Sequence, residues 1–200
     1  MQILHVVTSI NGNQSMSHKL GEAIVRRLQE QADADILVRN LADSPLPHLD
    51  GQLLRAFFTP ADQRPAQMAE TVKLSEEAVR ELFQADSIVI DVPMYNFSIP
   101  STLKAWIDHI ARAGVTFRYT ENGPEGLVKG KKIYLAISSG GVYSEGALQD
   151  FDFTERYLRS VLGFMGMTDI TAFRVEGVSL PDLREVAWPK ALQTVEAFAF

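Results

Sequence analysis

Ser87-Ile88-Val89-Ile90-Asp91-Val92, closed by Pro93, is the stretch on which the fold turns. It is short, apolar and β-branched, and it shows no strict polar–apolar alternation. That is the pattern of a strand buried on both faces. Such a strand belongs inside a parallel sheet with helices on each side. Upstream, Ile3 to Val7 is a second run of this kind. Leu20, Ala23, Ile24 and Leu28 then recur at helical spacing and predict a helix over residues 17–31. Residues 36–38 form a short strand, and residues 40–50, with two prolines, form a loop. Helices follow over 52–58 and 66–83, the second with Met68, Val72, Leu74, Ala78, Val79 and Leu82 on its apolar face.

Downstream, Pro100 opens a helix over 101–111, where a first-turn proline is tolerated. Residues 115–126 alternate and then turn, which reads as a small hairpin. A strand over 132–137, a helix over 153–167, a strand over 170–175 and a helix over 181–198 complete the chain. The order βαβ(αα)βαβαβα describes an α/β protein. Its expected fold is a flavodoxin-like, doubly wound sheet of five parallel strands in the order 2-1-3-4-5, with helices on both faces. No repeat or linker divides residues 1–200, so one domain is expected.

Composition narrows the function. The hydrophobic fraction is 46%, the charged fraction 22% and the formal net charge -6. An acidic chain without a basic run is a poor partner for nucleic acid or an anionic membrane. There is no cysteine. That removes disulfides, thiolate metal sites and cysteine nucleophiles, and suits a reducing compartment. No signal peptide or membrane-length apolar run is visible, so the cytoplasm is the expected location.

In this topology ligands bind beyond the carboxyl ends of the strands, near the reversal between the first and third. Three loops lie there. Thr8-Ser9-Ile10-Asn11-Gly12-Asn13-Gln14-Ser15-Met16-Ser17 is rich in hydroxyls and opens a helix, whose free N–H groups suit a phosphate. It holds no lysine or arginine, and it matches neither G-x-x-x-x-G-K-[ST] nor G-x-G-x-x-G. Read alone, it is equally a polar turn with a serine N-cap. Pro93-Met94-Tyr95-Asn96-Phe97 offers a mixed apolar and polar wall for a flat heteroaromatic ring. Ser138-Ser139-Gly140-Gly141 lets backbone approach a ligand closely. Singly, these two read as core aromatics and a strand-ending turn. Together, the three loops point to a bound flavin mononucleotide (FMN).

His5, His18, His48 and His109 show no metal-ligand spacing, so no metal is assigned. His109 beside Asp108 reads as a helix-surface pair, and Asp150 and Asp152 as solvated groups at a helix start. No G-x-S-x-G elbow supports a serine hydrolase.

Arg112-Ala113-Gly114-Val115-Thr116-Phe117-Arg118-Tyr119-Thr120-Glu121-Asn122-Gly123-Pro124-Glu125-Gly126-Leu127 is the most specific run in the chain. With Pro93-Met94-Tyr95-Asn96-Phe97 and Leu162-Gly163-Phe164-Met165-Gly166, it resembles the bacterial FMN-dependent NADH-azoreductases, relatives of the NAD(P)H:quinone reductases. The resemblance implies a homodimer with one FMN per subunit near the interface. It implies that Ser9, Ser15, Met16 and Ser17 hold the phosphate end. Met94, Tyr95, Asn96 and Phe97, with Ser138, Ser139, Gly140 and Gly141, would hold the isoalloxazine. Tyr119 would lie beside the substrate, and Phe164 would reach in from the second subunit. Members of the family often carry arginine where Ser139 stands, and residues 142–153 form a longer, more aromatic segment.

The reaction so implied belongs to the flavin. NADH or NADPH gives up hydride, and a quinone or azo compound receives it in the same space by a ping-pong scheme. Azo cleavage to aromatic amines takes two cycles. Flat acceptors are expected to stack on Phe97, Tyr119 and Phe151, the last of which also reads as ordinary core. Two rivals stand: an electron carrier with no substrate of its own, and a non-catalytic binding or regulatory protein. Nothing in the residues separates NADH from NADPH.

Overall fold

β3 (Ser87–Pro93) is buried at every position and occupies the centre of the sheet. The computed structural model describes residues 1–200. β1 (Gln2–Val7) lies on one side of β3, and β2 (Asp35–Asn40) forms the edge beyond it. β4 (Phe117–Thr120) and β5 (Gly123–Gly126) pair as a separate antiparallel hairpin. On the other side of β3 lie β6 (Lys132–Ser138) and the edge strand β7 (Asp169–Val175). All four pairings in the main sheet are parallel. The observed order, β2-β1-β3-β6-β7, is the expected 2-1-3-4-5 once the hairpin is set aside.

Two cores fill the two faces. Ile88, Ile90 and Val92 join Leu4 and Val6 in the larger one. It lies under α3 (Ala66–Gln84), α4 (Ser101–Ile110) and α5 (Thr154–Phe164). Val89 and Ile3 join the second, under α1 (Met16–Gln31) and α6 (Arg184–Ala197). Successive strand side chains point to opposite faces, so His5 and Asp91 fall on the α1 face with Ile3 and Val89. α2 (Gly51–Phe58) packs against α3 in a small satellite core of Leu53, Ala56 and Val72. No helix is long and apolar enough to cross a membrane.

α5 stops at Phe164, three residues before the expected end. Gly166 takes φ +102°, and the Met165 and Met167 N–H groups donate back to the last helical carbonyls. This closure also seats the hairpin. A Cβ on Gly126 would lie 2.1 Å from the Gly166 nitrogen, so the two glycines let β5 rest on the helix end. α6 begins at Arg184, three residues later than expected, because residues 181–183 form a turn first. Leu74, assigned to the buried face of α3, is 41% exposed.

Two polar assignments need correction. His109 is fully buried, and its Nε2 donates to the Pro47 carbonyl at 2.9 Å. Asp108 pairs with Lys104 one turn earlier. Asp152 is not merely solvated: it is buried, and its carboxylate accepts from the N–H groups of Thr154 (2.9 Å) and Glu155 (3.2 Å) at the start of α5. It also pairs with Arg174. Asp150 is exposed, as expected.

Candidate active site

The three loops after β1, β3 and β6 converge on one cleft of about 330 Å³. Ser9, Asn11, Gln14, Ser15 and Met16 form one wall, and Pro93, Met94 and Tyr95 the second. Ser138, Ser139 and Gly140 form the third. No lysine, arginine, aspartate or glutamate lines it.

The first wall is a helix start built by serine. Residues 12–14 form a short 3-10 turn with Gly12 at φ +50°. Ser15 then caps α1, its Oγ accepting the His18 N–H at 3.4 Å. Ser17 Oγ lies 2.9 Å from Ser15 Oγ and is fully buried behind it, so Ser17 supports the wall from within. The first-turn N–H groups have no intrahelical acceptor and form the positive end of the helix. Ser9 Oγ accepts the Asn11 N–H at 3.3 Å and holds the loop's entry.

The second wall is strained. Tyr95 and Ser98 exchange main-chain hydrogen bonds at 3.0 and 3.1 Å around a turn. Its central residues, Asn96 (φ 51°) and Phe97 (φ 68°), are both left-handed. Each such non-glycine residue costs on the order of 1–2 kcal/mol, and strain of this kind concentrates at ligand sites. The Tyr95 hydroxyl is buried without a partner in the chain, a polar group that a ligand can satisfy. Phe97 is half exposed at the rim, 5.5 Å from the Phe151 ring and 6.2 Å from Tyr143.

The third wall is braced from the far side. Ser138 accepts the Met94 N–H at 2.8 Å, which ties it to the second wall. Ser139 Oγ donates to the Gly141 carbonyl at 2.8 Å. The chain after β7 wraps this loop, the Ser179 N–H donating to the Gly140 carbonyl at 3.0 Å. Val178 and Ser179 therefore line the cleft too, a contribution missing from the expected set. The sequence signal for them is weak, a turn after the last strand. Gly141 lies against Tyr143.

Of the expected acceptor residues, Phe151 meets Phe97 and is 47% exposed, so it is not ordinary core. Tyr119 is 74% exposed on the hairpin and touches Phe117 edge-on. Phe164 packs against Phe117 of its own chain, the rings tilted by 54° with centroids 4.5 Å apart. Of the expected residues, Ser17, Asn96, Phe97, Tyr119, Gly141, Phe151 and Phe164 do not line the cleft of this chain.

Behind the first wall lies a cluster that histidine spacing does not reveal. Asp91 is fully buried. Its Oδ1 accepts from His5 Nε2 and its Oδ2 from His18 Nδ1, each at 2.8 Å. Both carboxylate oxygens are thus taken by ring N–H groups. The imidazoles stack at 5.7 Å with 15° between their planes. Its sequence signal is an aspartate inside an otherwise apolar central strand. The hydrogen bond to Asp91 raises the His18 pKa above its ordinary value, against the opposing effect of burial. His109, by contrast, is pushed down by burial.

The chain matches the family model described as flavodoxin-like fold over residues 1–199. It is 54% identical over 180 residues to the FMN-dependent NADH:quinone oxidoreductase of Herminiimonas arsenicoxydans, covering 90% of this chain and 88% of that one. It is 45% identical over 199 residues to the protein of the same name from Mesorhizobium japonicum, covering 98% and 95%. Among solved structures, the azoreductase from Bacillus anthracis str. Sterne superposes with a TM-score of 0.89 at 30% identity, covering 98% and 97% of the two chains. The FMN-dependent NADH-azoreductase from B. anthracis str. Ames Ancestor, solved in complex with FMN, gives 0.84 at 26% identity, covering 98% of each. The chain belongs to the flavodoxin-like family of FMN-dependent NADH:quinone oxidoreductases and azoreductases.

Proposed function

We propose that the chain is an FMN-dependent oxidoreductase that passes reducing equivalents from NADH or NADPH to quinones and azo compounds. The observation that carries this reading is the convergence of a serine-capped helix start, a strained aromatic turn and a glycine-bearing loop on one cleft at the sheet's reversal point. The donor set fits FMN: hydroxyls and first-turn N–H groups for a phosphate, and an apolar, aromatic wall for a flat ring. The names of the relatives agree.

When bound, FMN supplies hydride transfer between nucleotide and acceptor. The chain supplies alignment. Ser9, Ser15 and the N–H of Met16 would hold the phosphate, with Ser17 bracing Ser15 from behind. Met94, Tyr95, Asn96 and Phe97 form one side of the ring's seat, and Ser138, Ser139, Gly140 and Gly141 the other. Main-chain N–H groups there offset negative charge at the ring's polar end. Phe97 and Phe151 offer aromatic faces on which an acceptor would stack. Tyr119 and Phe164 complete the acceptor pocket across a homodimer interface. No acidic side chain lines the cleft, and in this reading the protons come from water. Nucleotide and acceptor occupy the same face in turn, which gives ping-pong kinetics, and an azo bond needs two turnovers for cleavage to amines. The cytoplasm, a reducing compartment, is the location we assign.

The test is an anaerobic absorbance spectrum of the protein with FMN, before and after NADH and then a quinone. The expected result is bleaching of the flavin band by NADH and its return with quinone. A bound flavin that neither NADH nor NADPH bleaches would mark an electron carrier. Failure to bind flavin would remove the enzyme reading.

A further inference from the structure

The His5–Asp91–His18 cluster has no part in the reading above, yet it lies directly behind the helix start assigned to the cofactor's phosphate. The connection is short. Ser15 Oγ, on the cleft wall, accepts the main-chain N–H of His18. The His18 ring turns inward to Asp91, and Thr8, at the end of β1, donates its hydroxyl to the Asp91 carbonyl at 2.6 Å.

The electrostatic problem is clear. A phosphate monoester carries about -1.5 to -2 charge near neutral pH. Its wall offers no lysine or arginine, and the chain's net charge is -6. A buried carboxylate placed behind that wall opposes the phosphate unless a cation neutralises it, and in a low-dielectric interior the opposition is strong. Carboxylate oxygens only accept, so His5 Nε2 and His18 Nδ1 must both be donors. One more proton decides the charge of the cluster. Without it the cluster is -1; with it, zero.

His18 is where that proton goes. Its free Nε2 lies 3.6 Å from Glu22 Oε1, one turn along α1, whereas His5 sits deeper on β1. The titratable groups facing the His18 ring are Asp91 from β3, His5 from β1 and Glu22 from its own helix.

We propose that His18, held on Asp91 with His5, is a proton-carrying positioning residue for the cofactor's phosphate: when it is protonated the cluster is neutral and the phosphate binds tightly, and when it is not the buried Asp91 charge weakens binding. This rests on the FMN reading of the cleft. By linkage, bound phosphate holds the proton on His18 in return.

The experiment is the dissociation constant of FMN for the full chain, read by flavin fluorescence from pH 7 to 9, with riboflavin as the phosphate-free control. Above pH 7 the phosphate's own second ionisation, near 6, is essentially complete and common to all forms. The expected result is a weakening of FMN binding by about tenfold across that range in the native chain, with little change for riboflavin. His18→Asn keeps a side-chain N–H for Asp91 but cannot take the charge. It should bind FMN weakly at every pH in the range. Asp91→Asn removes the buried charge and should bind tightly with a flat profile. A purely structural role predicts weaker binding in both variants. A sloping profile in His18→Asn that parallels the native one would overturn the proposal and leave the FMN reading intact. Failure of the native chain to bind FMN at all would overturn both.

Discussion

Gly21 on α1 lies against the carboxylate of Asp91 on β3: a Cβ on that glycine would sit 1.8 Å from Oδ1 and 2.9 Å from Nε2 of His5. In an open helix, Gly→Ala stabilises by about 1 kcal/mol. Here the methyl group meets two buried side-chain atoms, one at each end of a hydrogen bond. Overpacking costs roughly 1–3 kcal/mol and a broken buried hydrogen bond to a charge about 1.5–3 more, so the clash wins. Gly21→Ala should lower the urea midpoint by an amount equal to a few kcal/mol. A midpoint at or above the native value would show that the helix can slide away from β3.

Ser15 and Ser17 share a hydrogen bond, and only Ser15 faces the cleft. Replacing both with alanine removes the α1 cap, at a cost of about 1 kcal/mol, which a domain of this size tolerates. FMN affinity should fall by at least tenfold while riboflavin affinity holds. Unchanged FMN affinity in a fluorescence titration would remove the phosphate assignment.

His18 and His109 should titrate on opposite sides of the ordinary histidine pKa. His18 is raised by its bond to Asp91, so its stabilising contribution is complete below pH about 6.5 and is lost as pH rises through the folded value above that. His109 is lowered by burial, so it weakens the fold as pH drops below about 6.5, where the unfolded chain gains a proton first. The two act on opposite sides of pH about 6.5 and together place the greatest stability near it. In His18→Asn, stability should rise with pH up to about 6.5; in His109→Gln it should fall above it. NMR titration of the ring protons in the native chain checks both directions. A His109 resonance that titrates above His18 would contradict the structure.

Asp152 joins two jobs that Asp152→Ala would end together. It loses two N–H bonds that cap α5, worth about 1 kcal/mol. It also loses one charge-assisted bond to Arg174, worth about 1.5–3 kcal/mol. Arg174 keeps Glu155 and Glu176, so the charge is not stranded. The expected loss is roughly 2–4 kcal/mol in a denaturant melt, and a value under 0.5 kcal/mol would show that the cap is redundant.

The sheet was legible because β3 is apolar without alternation, and that pattern has few homes. The three loops were legible because they follow three such strands. What was hidden depended on contacts between distant residues. His5 and Asp91 are 86 positions apart and meet only because the β1–β3 register sets His5 beside Val89. His109 misled because its chain neighbour Asp108 is charged, but adjacent helical residues do not share a face. Asp108 faces Lys104, four back, while His109 turns inward to Pro47. In the left-handed pair Asn96-Phe97 only Asn96 is a residue such angles favour, and Phe97 carries no signature of its conformation. Ser179 reaches the cleft only because the chain after β7 folds back over Gly140.

The segment after β6 is fastened at both ends. The N–H groups of Tyr143 and Ser144 donate to Glu176 at 2.8 and 2.9 Å, and the Phe153 N–H donates to the Phe97 carbonyl at 3.1 Å. The span between them, Gly146–Phe151 included, is mostly exposed and bears on the ring site through Phe151 and Tyr143. Such a stretch has the anchoring of an interchangeable cassette: in the function proposed above, changing its length or aromatic content by grafting alters the acceptor side of the pocket while the sheet and the serine-capped helix, tied down elsewhere, keep the cofactor.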